Sequence, residues 1–460
     1  MTSLDHIKRV YLLGIGGIGM SGLARYFRHL GREVAGYDRS ETELTRALVA
    51  EGIAVTYRDD PGELAEAYKK PSGETLLIFT PAVPEELKLK DFFRQQGHRL
   101  YKRSEVLGII SAGRFTIAVA GTHGKTTTSS LIAHILKESG EDCSAFLGGI
   151  AANYGSNVLC GGGNIVVAEA DEYDRSFLTL RPDIAVVTSA DADHLDIYGD
   201  KDQLIASFRL FLAQMKKGGT SIVKYGLPFP GDIRYAKEEL CDAYAQNIRV
   251  ADGEFYFDYI GHNLNPSQGH GSIADIRLGM PGLHNVENAV AAIAVARLLG
   301  IGGEQIRAAL GSFRGVRRRF EHIVRRPGAV YIDDYAHHPE ELRAILGSVR
   351  KMYPERKLTV IFQPHLFSRT RDFAEEFAEV LAMADALLLM DIYPARERPL
   401  PGVTSDWLLG KIDIADKRRA SADEIVETVA RERPELLVTT GAGDIDRLVI
   451  PLKEVYENAE

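Results

Sequence analysis

The stretch TIAVAGTHGKTTTSSLIAHIL, Thr116 to Leu136, constrains the fold more than any other part of the chain. An apolar run ends in Gly-Thr-His-Gly-Lys-Thr and then continues at helical spacing, so a strand passes into a helix through a glycine loop. In such a loop Gly121, Thr122, His123, Gly124, Lys125, Thr126 and Thr127 would bind a nucleotide, the backbone N–H groups from Gly121 to Thr126 cradling its phosphates. Lys125 would neutralise β- and γ-phosphate oxygens, and the Thr126 hydroxyl would ligate Mg²⁺. The usual G-x-x-x-x-G-K-[ST] spacing is not met: Val119 stands where the first glycine belongs, and Gly121 is the nearest earlier glycine. A strand, loop and helix of this kind imply an α/β fold around a parallel sheet.

A nucleotide and its metal also need acidic or imidazole ligands from neighbouring strands. Glu169 ends the apolar run NIVVAEA and is followed by Asp171, Glu172 and Asp174, while IAVVTSADADHLD ends in Asp191, Asp193 and His194. At least one residue of each loop is expected at the metal. A second glycine loop stands near the N-terminus, where RVYLLGIGGIGM places Gly14, Gly16 and Gly19 in G-x-G-x-x-G spacing, with Gly17 between them. It follows a strand, opens a helix, and is followed by Asp38 at the end of the next strand. That pattern suits a nucleotide diphosphate at a helix N-terminus and a ribose hydroxyl on the carboxylate, with NAD, FAD and UDP-sugars all open.

At 460 residues the chain exceeds one hydrophobic core. Runs of β-branched residues alternate with helical periods in three blocks, with boundaries near residues 110 and 320. The first holds RVYLLGI, EVAGYD and TLLIFT, and the second FTIAVAG, NIVVAEA, DIAVVTS and the buried-type helix NVENAVAAIAVARLLG. The third holds AVYIDDYAHHPEEL, LTVIFQPH, ALLLMDIYP and ELLVTTGAG. Between about 251 and 282 a Gly-, Asn- and Asp-rich stretch predicts a small antiparallel excursion.

A net charge of −9 without a long basic run argues against nucleic acid as a partner. Cys143, Cys160 and Cys241 lack C-x-x-C spacing, which suits a reducing cytoplasm. No apolar run approaches the ~18 residues of a membrane span. The run VYLLGIGGIGM after Lys8-Arg9 imitates a signal peptide, but its four glycines fit a phosphate loop better.

Together these motifs resemble the muramyl ligase family, the ATP-dependent amide ligases of bacterial cell-wall synthesis. The shortened GTHGKTTT is this family's form of the ATP loop. The likeness continues through EADEYDRSF, DADHLDIYG, LHNVENAVAA, GVRRRFE, DDYAHHPEE, FQPHLFSRTR and TTGAGD, covering about residues 14 to 444. GIGGIGMSGLA resembles the UDP-substrate loop of its alanine-adding branch. The resemblance implies three domains: Rossmann-like for the UDP-sugar (1–110), a P-loop ATPase-type parallel sheet (111–320), and Rossmann-like for the amino acid (321–460). It implies that Lys125, Glu169 and His194 carry the chemistry, with Thr126, Glu169 and His194 at Mg²⁺. Asn285 and Asn288 are expected at adenine, and Arg319 and Asp334 at the nucleotide from the C-terminal side. His337, His365 and Arg369 are expected around the amino acid.

The implied reaction joins L-alanine to the lactyl carboxylate of UDP-N-acetylmuramate through an acyl phosphate, with ATP and Mg²⁺, in a cytoplasmic monomer or homodimer. Where several siblings carry a carbamylated lysine, this chain reads Ser207-Phe208-Arg209-Leu210, as the alanine-adding branch does. Rival readings are a recycling ligase that adds an intact peptide, a dinucleotide oxidoreductase suggested by GIGGIG and Asp38, and an ATP-gated binding module. His337-His338-Pro339 could equally just start a helix.

Overall fold

The structure, a computed structural model, describes residues 4–191, 198, 200–251, 253–262, 271–395 and 397–458. The first sheet joins β1 (Arg9–Leu13), β2 (Glu33–Tyr37), β3 (Ala54–Thr56), β4 (Thr75–Phe79) and β5 (Leu100–Lys102) in the order β3-β2-β1-β4-β5. All its pairings are parallel, with Leu13 level with Tyr37 on one side and Phe79 on the other. The near-continuous apolar reading of β1 follows from burial on both faces. Chain order reverses between β1 and β4, and the crevice at such a switch point is where α/β sheets bind ligands. The Gly14–Gly19 loop leaves β1 there and enters the helix Ile18–His29, whose inner face carries Met20, Leu23, Ala24 and Phe27.

The second sheet joins β6 (Phe115–Ala120), β7 (Cys143–Ala151), β8 (Ser156–Leu159), β9 (Ile165–Ala170), β10 (Ile184–Val187), β11 (Thr220–Lys224), β12 (Ile233–Ala236), β13 (Ala243–Ala251), β14 (Glu254–Gly261) and β15 (Ile273–Leu278). The order is β15-β14-β13-β12-β11-β10-β6-β9-β7-β8. Parallel β6 lies between β9 and β10, with Val119 level with Glu169 and Ala120 level with Val187. The phosphate loop, Glu169 and the acidic loop after β10 therefore leave neighbouring strand ends on one edge. The antiparallel excursion is larger than its sequence reading, since it begins at Ala243 and extends the same sheet. Two residues join β13 to β14, which fits only an antiparallel turn. β14 alternates faces throughout, whereas β13 stops doing so halfway, which hid its start.

The third sheet joins β16 (Glu321–Arg326), β17 (Ala329–Asp334), β18 (Leu358–Phe362), β19 (Ala386–Leu389), β20 (Asp416–Arg419) and β21 (Leu436–Thr440) in the order β16-β17-β21-β18-β19-β20. The β16–β17 hairpin is antiparallel and the other pairings are parallel.

Two compact units result. Met1–Gln246, Asp258–Ile276 and Glu287–Phe313 form one, and Asn247–Phe257, Arg277–Val286 and Arg314–Glu460 form the other. The first sheet and most of the second share the first unit, and one apolar core runs through both. Leu23 and Phe27 belong to it with Phe146 and Val158, and Tyr26 meets Phe146 edge-on at 5.1 Å between ring centres. Among the described residues no helix is long and apolar enough to cross a membrane.

Candidate active site

Gly121 and Gly124 take φ of +142° and +83°, and the helix Lys125–Glu138 begins at once. Gly121 lies against the end of β10, where an added Cβ would stand 2.1 Å from Thr188 Oγ1. Ser189 braces the loop: its hydroxyl accepts from the His123 N–H at 2.6 Å and meets Thr122 Oγ1 at 2.9 Å. The Asp191 N–H donates to Thr122 Oγ1 at 3.1 Å, and His123 Nε2 stands 3.8 Å from the Asp191 carboxylate. Thr126 and Thr127 are buried in the first helical turn. Asn288 stands at the phosphate loop itself, accepting from Thr128 Oγ1 at 3.3 Å, and a Cβ on Gly124 would come within 2.7 Å of its oxygen. Asn285 donates its amide to the Pro281 carbonyl at 2.6 Å.

Lys125 reaches Glu172 at 2.8 Å and donates to the Gly121 carbonyl at 2.6 Å. Burial works against its charge, but the carboxylates of Glu172, Asp171 and Glu169 outweigh it and hold the ammonium charged well above the usual lysine range. Glu169, at the end of β9, accepts from the Gly148 N–H at 2.8 Å, and that close approach leaves no room for a side chain at 148. Among the described residues no three His, Cys, Asp or Glu side chains converge on one metal position. One hydroxyl and one carboxylate near a phosphate cradle still fit Mg²⁺, which usually takes one or two carboxylates and fills its shell with phosphate oxygens and water. His194, expected at the metal, and Asp193 beside it lie outside the described residues.

The N-terminal loop shares a cavity with the acids that follow β9. Gly14 takes φ +83°, and it and Ile15 donate to the Tyr37 carbonyl at 2.8 and 3.0 Å, folding the turn back onto β2. Asp38 receives the Gly16 N–H at 2.8 Å, so its carboxylate shapes the loop from within. Gly17 and Gly19 line a cavity of about 240 Å³ with Thr80, Arg103, Glu169 and Asp171. Arg103, which sequence reading missed, starts the helix Arg103–Ala112 and sits 3.5 Å from Asp171. A Cβ on Gly19 would lie 2.5 Å from its guanidinium. Asn157 ties the glycine-loop helix to β8: its amide donates to the Ile18 carbonyl and to Ser21 Oγ, and it accepts from Arg25 at 2.6 Å. Neither residue carried a motif, because their importance lies in what they meet far along the chain.

In the C-terminal unit the expected residues gather at carboxyl ends of parallel strands. Asp334, ending β17, accepts N–H groups from Phe320 and Ala336, both at 2.7 Å, and Arg319 lies over the Tyr335 ring. His337 and His365 meet edge-on at 5.6 Å, and His365 stacks on Tyr393. His337 Nδ1 donates to the Tyr335 carbonyl at 2.9 Å. Arg369 is buried in the short helix Phe367–Asp372. His338 caps the helix Pro339–Met352 with proline in its first turn, so this part of the His-His-Pro run has a helix-starting role.

Burial raises Asp334 from the ordinary 3.8 to about 6, against the pull of Arg319 and the two N–H groups. Its charged form is therefore disfavoured in the native state. The resulting cost, roughly 2–3 kcal/mol, is fully present above pH ~6 and vanishes below about 4. As pH falls from 7 to 4, wild type should gain that much on Asp334→Asn in denaturant unfolding. The loss of an acceptor in the variant adds only a constant offset. A pH-independent difference would contradict this assignment.

A phosphate loop between two acid-bearing strand ends, with a second glycine loop sharing a cavity with one of those acids, defines an ATP-using enzyme built for a nucleotide-linked substrate. Family models match most of the chain: Mur ligase family, catalytic domain, over residues 9–115; Mur ligase middle domain over 119–296; and Mur ligase, glutamate ligase domain, over 318–443. A UDP-N-acetylmuramate–L-alanine ligase of Cytophaga hutchinsonii is 48% identical, covering 99% of this chain and 98% of its own. The crystal structure of a UDP-N-acetylmuramate–alanine ligase from Thermotoga maritima superposes with a TM-score of 0.83 at 26% identity, covering 98% of this chain and all of its own. A murein peptide ligase from Psychrobacter arcticus gives 0.68 at 24% identity, over 97% of this chain and 99% of its own. The chain belongs to the Mur ligase family, whose ATP-dependent ligases have this three-domain α/β fold.

Proposed function

We propose that the chain is the ATP-dependent ligase that joins L-alanine to the lactyl carboxylate of UDP-N-acetylmuramate, a cytoplasmic step of peptidoglycan precursor synthesis. The supporting observation is a cavity that Gly17 and Gly19 line together with Glu169 and Asp171, two carboxylates that also act on Lys125. It would set a UDP-linked carboxylate against a γ-phosphate. The recycling reading gives way to the full-length identity with alanine-adding ligases and the higher TM-score of that type, 0.83 against 0.68. The oxidoreductase and binding-module readings give way to the family itself.

A carboxylate is a poor electrophile, so it must first be activated. In the proposed reaction a carboxylate oxygen bonds to the γ-phosphorus and the bond to the β-bridging oxygen breaks, releasing ADP. The neutral alanine amine then adds to the acyl carbon, phosphate leaves, and the nitrogen gives up a proton. Lys125 and the backbone N–H groups of 121–126 hold the phosphate oxygens as charge spreads over them. Thr126, Glu169 and His194 would hold Mg²⁺, which supplies further charge neutralisation when bound. Gly14, Gly16, Gly17, Gly19 and Asp38 form the UDP-sugar loop, and Asn285, Asn288, Arg319 and Asp334 serve the nucleotide. His337, His365 and Arg369 supply the amino-acid subsite. Its buried guanidinium makes Arg369 the candidate partner of the alanine carboxylate.

The mechanism is tested with UDP-N-acetylmuramate carrying heavy oxygen in its carboxylate. One labelled oxygen should appear in each phosphate released. Unlabelled phosphate would rule out the acyl phosphate.

A further inference from the structure

Asn157, on β8, is 1% exposed, and its side-chain partners lie on the helix that leaves the N-terminal glycine loop. Its amide nitrogen donates to the Ile18 carbonyl and to Ser21 Oγ at 3.1 Å, and its oxygen accepts from Arg25 at 2.6 Å. Ile18, Ser21 and Arg25 stand at helical spacing and share one face of Ile18–His29. Arg25 is itself locked on Glu51, with Nε at 2.9 Å and Nη2 at 2.7 Å from the carboxylate. Gly22 lets the amide come close: a Cβ there would stand 3.2 Å from Asn157 Nδ2. Helix and strand belong to one compact unit.

The strand side of Asn157 leads to Glu169. Register between β7 and β8 passes from Phe146 opposite Val158 to Ala151 opposite Ser156, which leaves Asn157 opposite residues 147–150. Gly148, within that irregular span, donates its N–H to Glu169 at 2.8 Å. Gly17, Gly19, Gly148, Asn157 and Glu169 all line one cavity. Apolar contact such as Tyr26 on Phe146 holds the helix to β7 without direction, so it resists sliding only weakly. Hydrogen bonds to the first-turn carbonyl, Ser21 and Arg25 fix both the rotation of the helix and its advance along the strand. We infer that Asn157 is a positioning residue for the ligation: it sets the UDP-sugar loop at the separation from Glu169 that brings the lactyl carboxylate into line with the γ-phosphate. This rests on the reaction proposed above. Asn157 acts through the helix and needs no contact with either substrate.

The test compares Asn157→Ala with wild type. Amide formation is followed by alanine-dependent phosphate release, and UDP alone and ATP alone are titrated by calorimetry. The expected result is kcat lower by about 10- to 100-fold, the scale of a small misplacement between reacting groups. UDP and ATP should each bind as in wild type, because each is gripped by its own loop. A merely structural role would weaken one or both affinities along with turnover, and that result, or wild-type kcat, would overturn the assignment. Gly22→Ala supplies the second readout. Its added carbon presses on a pinned amide, so it should lower kcat in the same way. In the Asn157→Ala background it should cost no further turnover, since the group it meets is gone. An undiminished further loss there would overturn the assignment. A wild type that formed no alanine amide would overturn the reaction and this role together. An active wild type beside an unimpaired variant would overturn the role alone.

Discussion

Lys125→Ala should abolish amide formation, lowering kcat by at least ~10³-fold, while UDP-N-acetylmuramate still binds. In the proposed reaction the ammonium meets the phosphate oxygens, and it lies amid three carboxylates. Without it the transferring phosphate would face Glu169, Asp171 and Glu172 with less compensation. The variant should also lose stability, on the order of 3 kcal/mol, because the ion pair between Lys125 and the buried Glu172 carboxylate is broken. Calorimetric binding of the UDP-sugar separates the two losses, since the Gly14–Gly19 loop does not depend on the lysine. Near-native turnover would show that the phosphate-loop assignment is wrong.

Gly121→Ala should be nearly as damaging. The residue takes φ +142°, where an L side chain is strained, and its Cβ would come within 2.1 Å of Thr188 Oγ1 and 2.8 Å of the Ser189 backbone nitrogen. The hydroxyl can rotate away, but the backbone cannot, so the loop itself must shift. A loss of ~2–4 kcal/mol in stability and ~10²-fold or more in kcat/KM for ATP is expected. Gly140→Ala is the control. It also has positive φ, +86°, but nothing lies within 4 Å of the added carbon. It should cost only about 1 kcal/mol and leave turnover intact. Equal effects at both positions would mean that backbone strain, not the phosphate cradle, governs the loss.

The strand–loop–helix at Lys125 and the acid ending β9 were legible because local order carries them: an apolar run, a glycine loop and a helical period. The resemblance across nine motifs then fixed the family that the matches to known proteins bear out. What pattern could not carry is contact between distant residues. Ser189 bracing His123, Asn157 holding the glycine-loop helix and Arg103 entering the cavity each join segments without a shared period. Sharing of one core by the first two sheets was hidden likewise, since burial of Tyr26 against Phe146 leaves no mark in either segment. Asp38 was legible as an acid at a strand end, but its service to Gly16 belongs to the folded turn alone.

The central claim is tested most directly by phosphate release from ATP and Mg²⁺ with UDP-N-acetylmuramate, with and without L-alanine, the products being identified by mass. Alanine-dependent phosphate and an equal amount of the UDP-sugar–alanine amide are the predicted result. Turnover supported only by an intact peptide, or none with alanine at all, would contradict it.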